Sequence, residues 1–333
     1  MKAFSLLLIS LLSLFPISEE KVTSPKINGV NFVAPSREIR ENPMQPIKDL
    51  GAGWVSVMPY AYSNKRAPGV RHNTMWQWWG EKTVGTIATI KYAKEKGLKV
   101  MLKPHIWVSG EGWCGDFYLE SEEDWLVWGK EYEEYILPLA VEAEKLGVEM
   151  ICIATEYRQV VRRRPQYFPK LIKKIRKVYS GELTYAANWD NFTQVKFWDQ
   201  LDYIGVDAYF PLSDVKNAKD DILCGAWTPH KKQIRELQKK YKKPVLFTEY
   251  GYCSVAYGAR RPWEEGELGG ISMEAQSEAY EAIYQTFWHE PWFAGGFLWK
   301  WFHQSFRAGG KSNKGFTPQN KPAIEVIKKW YGR

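Results

Sequence analysis

Leu246-Phe247-Thr248-Glu249-Tyr250-Gly251-Tyr252, led in by Pro244-Val245, is the stretch on which the fold turns. Its β-branched and apolar lead-in reads as a buried parallel strand. The strand ends in an acid flanked by aromatic residues and followed by glycine. Desolvating a carboxylate there costs free energy unless something pairs with it, and no structural need places one at the end of a buried strand. The same arrangement occurs upstream, in Met150-Ile151-Cys152-Ile153-Ala154-Thr155-Glu156-Tyr157. Two apolar runs, each ending in Thr-Glu-Tyr, form a constellation that the rest of the chain has to explain.

Outward from these two runs, short apolar segments alternate with amphipathic helical ones. Strands are expected over 27–33, 53–58, 99–103, 150–154, 183–187, 203–207, 245–248 and 295–299. Helices are expected over 86–96, 122–146 with a kink at Pro138, 168–179, 230–241, 273–288 and 322–331. Gly97 and Gly147 stop two of the helices and lead directly into strands. No Pro/Ser-rich linker or shift in composition marks a second domain. Eight β/α units within 333 residues predict the α/β class and a single (β/α)8 TIM barrel over residues 19–333.

In that fold the chemistry sits on the loops that follow the strands. The strand ends carry Asn31, Tyr60, His105 with Trp107, Thr155-Glu156, Asn188, Asp207 with Tyr209, Glu249, and Trp299 with Trp301. Two acids among amides, hydroxyls, one imidazole and flat rings suit a carbohydrate. Cleaving a glycosidic bond needs an acid for the leaving oxygen and a carboxylate at the anomeric carbon. Trp and Tyr stack on the apolar face of a sugar, while Asn, His and Tyr bond its hydroxyls. Glu156 and Glu249 are therefore the candidate catalytic residues. Asn31, Tyr60, His105, Trp107, Thr155, Asn188, Tyr209, Trp299 and Trp301 are the candidate substrate-binding residues. Plainer readings stand beside these. A lone Glu after a strand is most often a helix cap or ion-pair partner, and His105 could be a core histidine. Asp207 reads as a hydrogen-bond hub, and Tyr209 as a donor to the nucleophile. Trp299 and Trp301 share strand parity, and Trp299 is preferred as the sugar platform.

Composition narrows the class further. With 17 Trp, 19 Tyr and 15 Phe, aromatic residues make up 15% of the chain, more than a core of branched aliphatics needs. They fit a mixture of aromatic core and stacking cleft. The formal charge of +8 comes from basic residues scattered through helices, so no nucleic-acid partner is expected. Residues 1–18, with Lys2, an apolar run and Pro16-Ile17-Ser18, read as a secretory signal peptide. No later segment is apolar enough to span a bilayer, so a secreted or periplasmic protein, monomeric, is expected. Cys114 and Cys253 both follow predicted strands on the loop-bearing end, where a bridge is conceivable. Cys152 reads as a small buried hydrophobe. No spacing resembles a zinc site, and neither metal nor cofactor is expected.

Glutamates ending strands four and seven of such a barrel resemble the retaining glycoside hydrolases of clan A. Several stretches resemble glycoside hydrolase family 113, the β-mannanases: Ile27 to Phe32, Gly97 to His105, Ala154 to Tyr157, Tyr203 to Leu212, Phe247 to Tyr252 and Phe316 to Ala323. The resemblance spans nearly the whole chain after the signal. It implies Glu156 as acid/base, Glu249 as nucleophile, net retention, and β-1,4-mannan or manno-oligosaccharides as substrate. Most clan members carry Asn before the acid/base, where this chain has Thr155. Two rivals remain: action on another β-glycan (glucan, xylan or a decorated glycan), and a carbohydrate-binding barrel without turnover. The loops over 66–81 and 254–270 are expected to wall the cleft. Their basic residues could favour an anionic sugar, unless the loop neutralises itself.

Overall fold

Eight apolar runs pair side by side, every pair parallel, and close into a barrel. They are Ile27–Phe32, Trp54–Val57, Lys99–Leu102, Met150–Thr155, Glu182–Asn188, Ile204–Asp207, Val245–Tyr250 and Phe293–Trp301, following one another around the ring. The computed structural model describes residues 25–64, 66–110, 113–265 and 269–332. The expected signal peptide, residues 1–18, lies outside them. Helices Thr83–Glu95, Glu122–Lys145, Tyr167–Ile175, Asp220–Tyr241, Met273–Phe287 and Ala323–Tyr331 fall between or after the strands, giving the (β/α)8 TIM barrel.

Two apolar layers result. Ile27, Met101, Met150, Cys152, Leu246 and Phe297 fill the barrel interior. A larger layer, including Val245, Phe247, Trp227, Phe287 and Phe293, packs the strands against the helices. The last helix is tied to the first strand: the Tyr331 hydroxyl donates to the Gly29 carbonyl at 2.8 Å and meets the Tyr250 hydroxyl at 2.8 Å.

Two departures from the sequence expectation have physical causes. Helix Asp220–Tyr241 begins well before His230 and runs through Pro229. An interior proline ordinarily stops a helix. Here Leu223, Trp227, Ile234 and Leu237 make one buried stripe on both sides of it, and that burial carries the helix through. The second departure is a three-stranded sheet of Tyr60–Asn64, Ala67–Arg71 and His105–Ser109. It continues barrel strands two and three past the mouth. Its parallel pairing sets Tyr60 opposite His105 and Tyr62 opposite Trp107.

The strand ends are irregular where it matters. In strand seven, Phe247 pairs with Val206 but Glu249 pairs with Asp207, so one extra residue is inserted. Val245 and Phe247 face the helices and Leu246 faces the interior. Strict alternation would send Glu249 outward with Phe247. The bulge reverses the phase, so Glu249 turns into the mouth and Tyr250 packs under the helices. Strand four slips in the same sense between Cys152 and Thr155.

Candidate active site

Glu156, just after strand four, and Glu249, in strand seven, border one cleft at the mouth of the barrel. Glu156 has φ +59°, a left-handed conformation that non-glycine residues adopt only under constraint. Its N–H donates to the Ala186 carbonyl at 2.7 Å, and its carbonyl accepts from Arg158 N at 2.7 Å. The backbone on both sides thus fixes the residue. Gly251 explains the glycine after Glu249-Tyr250: a Cβ there would lie 2.4 Å from the Trp299 carbonyl oxygen. Strands seven and eight can close up only because it is absent.

Both oxygens of Glu249 face donors. The Tyr209 hydroxyl donates to Oε2 at 2.8 Å, and the Lys103 ammonium contacts Oε1. Lys103 also reaches Asp207 Oδ1 at 3.3 Å. Asp207 accepts from the Thr248 hydroxyl at 2.7 Å, and so acts as a hub beneath the mouth. Burial, aided by the charge on Glu249, pushes the Asp207 carboxyl up to about 7 against the pull of Lys103. Burial opposes the charge on Lys103, but Asp207 and Glu249 outweigh it and hold the ammonium above its ordinary value. His105 Nε2 stands 3.8 Å from Glu249 Oε1 and has no hydrogen-bond partner. Burial and the nearby Lys103 pull this imidazole well below its ordinary value, so it is neutral.

Glu156 sits in a different field. Burial first, then the charges of Asp207 and Glu249, push its carboxyl well above the usual range. The Trp113 indole N–H donates to Oε2 and opposes that rise. One carboxyl is thus pushed toward its protonated form beside another ringed by donors, a contrast that acid/base and nucleophile chemistry can use.

A cleft runs across the pair in two lobes, both bordered by Trp107, Trp113, Glu156, Glu249 and Trp299. The smaller, about 340 Å³, adds Tyr60, His105, Cys114 and Thr155. The larger, about 660 Å³, adds Arg158, Asn188, Trp189, Asp190, Tyr209, Trp263 and Phe316. Trp107 is 62% exposed, a flat ring on the rim. The Thr155 hydroxyl has no protein partner, while the Asn188 amide donates to Asp190 at 2.9 Å.

Two of the candidate binding residues stand elsewhere. Asn31 is fully buried, and its amide donates to the carbonyls of Thr248 and Phe297 at 3.2 and 3.1 Å, bracing the barrel beneath the mouth. Trp301 is only 3% exposed and borders a separate pocket with Leu50 and Ile324. Its shared parity with Trp299 fails because the pairing slips: Val30 meets Leu298, whereas Phe32 meets Trp301. Alternation does not survive that extra residue.

Trp263, in the loop over 254–270 expected to wall the cleft, does border the larger lobe. Sequence reasoning missed Trp113 and Lys103 as contacts of the two acids, and Trp189 as the ring that stacks on Trp263, at 5.3 Å between ring centres. A Trp within the loop after strand three was the one available signal for Trp113. The four cysteines form no disulfide, and Cys114 donates to the Thr155 carbonyl instead. Among the described residues no cluster of three or more His, Cys, Asp or Glu is placed to hold a metal. None of their helices is long and apolar enough to cross a membrane.

The family model of Glycoside Hydrolase Family 113 matches residues 36–321. The chain belongs to glycoside hydrolase family 113. It is, accordingly, a glycoside hydrolase. A family 113 β-mannanase from Alicyclobacillus acidocaldarius superposes with a TM-score of 0.82 at 23% identity, over 93% of this chain and 98% of the other. A family 113 β-1,4-mannanase superposes with a TM-score of 0.80 at 26% identity, over 93% and 99%. A Ruminococcus gnavus β-glucuronidase shares the fold more distantly, with a TM-score of 0.61 and 15% identity over 92% of this chain and 50% of its own. None of the curated proteins compared with this family 113 chain matches it.

Proposed function

We propose that the protein hydrolyses β-1,4-linked mannan or manno-oligosaccharides with retention, by double displacement. Glu249 attacks the anomeric carbon while Glu156 gives its proton to the leaving oxygen. Glu156 then takes a proton from water, whose oxygen bonds the anomeric carbon, and the electron pair of the ester returns to Glu249. The observation that carries this reading is the contrast between the two acids. Glu249 accepts from Lys103 and Tyr209, while burial and neighbouring charge favour the protonated form of Glu156.

Three features support a neutral polysaccharide. The likeness to family 113 β-1,4-mannanases extends over almost the whole chain. A lobe on either side of the acids suits a chain crossing the bond to be cut. Among the described residues the cation lining the larger lobe, Arg158, is already paired with Asp116 and Asp190, and Arg261 and Lys300, close in sequence to its lining residues Trp263 and Trp299, pair with Glu264 and Glu265. A uronic acid would need one of them free. Export to the periplasm or medium follows from the leader-like first eighteen residues, and action as a monomer completes the proposal.

Incubation with linear β-mannan, β-glucan and xylan, with product analysis, tests the substrate. Manno-oligosaccharides released from mannan, with little from the other two, are expected. Preferential release from glucan or xylan would overturn the assignment of sugar, and no release from any would overturn turnover itself.

A further inference from the structure

Lys103 is left without a role by the double displacement. It follows the third barrel strand and its side chain has no exposure. A buried ammonium is costly unless its charge is compensated, so its partners carry information. Two carboxylates meet this one cation, Asp207 from strand six and Glu249 from strand seven. Asp207 is anchored by Thr248 and is fully buried, whereas Glu249 opens on the cleft. Other ionisable groups around them include Cys152 on strand four, Glu156 just after it, Cys114, His105, and the hydroxyls of Tyr60, Tyr185 and Tyr209. Lys103, anchored at Asp207, thus directs its ammonium at Oε1 of Glu249.

That ammonium acts with opposite sign on the two chemical steps. When Glu249 attacks, its negative charge is consumed, so a cation that stabilised the free carboxylate opposes the step. When water displaces the sugar, the ester bond breaks and its electron pair returns to the carboxyl group. The returning charge is met by Lys103 at Oε1 and Tyr209 at Oε2. Preset donors aimed at developing charge are an effective form of catalysis.

We propose that Lys103, held by Asp207, is a positioning residue that makes Glu249 a better leaving group and so promotes release of the sugar from the enzyme. This rests on the retaining reading above. A merely structural ion pair would instead affect both steps alike.

The test uses 2,4-dinitrophenyl β-mannobioside, whose leaving group needs no acid, so that sugar release limits kcat. The double variant Lys103→Met with Asp207→Asn removes the cation together with its partner charge. It avoids burying two uncompensated carboxylates, and circular dichroism checks that it folds. The expected result is a kcat lower by roughly 10²-fold, a KM lowered with it, kcat/KM changed far less, and a glycosyl ester on Glu249 visible by mass spectrometry during turnover. Equal losses in kcat and kcat/KM, with no ester accumulating, would overturn the role of Lys103 while leaving the nucleophile assigned. Should the double variant not fold, Asp207→Asn alone, which leaves Lys103 to Glu249, is expected to move kcat and KM without a matching change in kcat/KM; parallel losses would overturn the inference. If the wild type forms no ester on Glu249, the retaining reading fails and the inference falls with it.

Discussion

The indole N–H of Trp113 donates to Oε2 of Glu156, joining the loop after barrel strand three to the acid that ends strand four. The contact favours the ionised carboxylate, against burial and the charges of Asp207 and Glu249, which favour the protonated one. Replacing Trp113 with Phe keeps most of the ring and deletes the donor. The Glu156 carboxyl should then rise further, and the acid form needed for the first step should persist to higher pH. The expected outcome is a shift of the alkaline limb of the kcat/KM profile to higher pH, read on an unactivated manno-oligosaccharide. A limb that stays in place or moves down would mean that the contact does not set the acid.

The two glutamates should fail in different ways. Glu156→Ala should slow mannan hydrolysis by roughly 10²–10⁴-fold yet largely spare the first step on a dinitrophenyl mannoside. Added azide should then yield the β-mannosyl azide, with retained configuration. Glu249→Ala should lose hydrolysis of both substrates, and azide should yield the α-mannosyl azide. Product configuration by NMR checks both, and an exchange of the two outcomes would exchange the roles.

The larger lobe predicts chain-length dependence. Trp189 and Trp263 stack beside it, and Trp263 is 42% exposed. Trp263→Ala should raise KM for long manno-oligosaccharides by roughly fivefold, corresponding to about 1 kcal/mol of lost stacking, and leave the shortest substrates unaffected. A uniform change across chain lengths would place this ring outside the path of the sugar chain.

Closure of the barrel should be sensitive to one hydroxyl. Tyr331 OH serves the Gly29 carbonyl and meets the Tyr250 hydroxyl, all buried. Tyr331→Phe leaves the Gly29 carbonyl without that donor and Tyr250 with the Tyr284 hydroxyl alone, at 3.1 Å, and should cost about 1–3 kcal/mol. Urea denaturation should show a lower midpoint with an unchanged slope. No change in the midpoint would mean that the Tyr331 hydroxyl does not help hold the barrel closed.

Much of this was legible in the sequence because it is local. Alternating apolar runs and helices specify the barrel, and an acid at the end of an apolar run specifies the rim. What was hidden depends on pairing between distant strands. Strict alternation would turn Glu249 away from the cleft, and only the bulge against Asp207 brings it in. The slip against the first strand likewise removes Trp301 from the site its parity suggested. Asn31 sits at a strand end as expected, but the carbonyls of strands seven and eight claim its amide. Lys103 reads as the last residue of a strand, because nothing local reveals that two acids from strands six and seven converge on it. Trp113 lies in a loop with no periodicity to place it.

Covalent trapping tests the assignment of nucleophile most directly. The enzyme is incubated with 2-deoxy-2-fluoro-β-mannosyl fluoride, whose fluorine slows both steps and whose good leaving group lets the first proceed. The protein is then digested and its peptides are sequenced by mass spectrometry. One fluoromannosyl group per chain, carried on Glu249, is the expected result. A label on Glu156 or on any other residue, or inactivation that Glu249→Ala does not prevent, would contradict it.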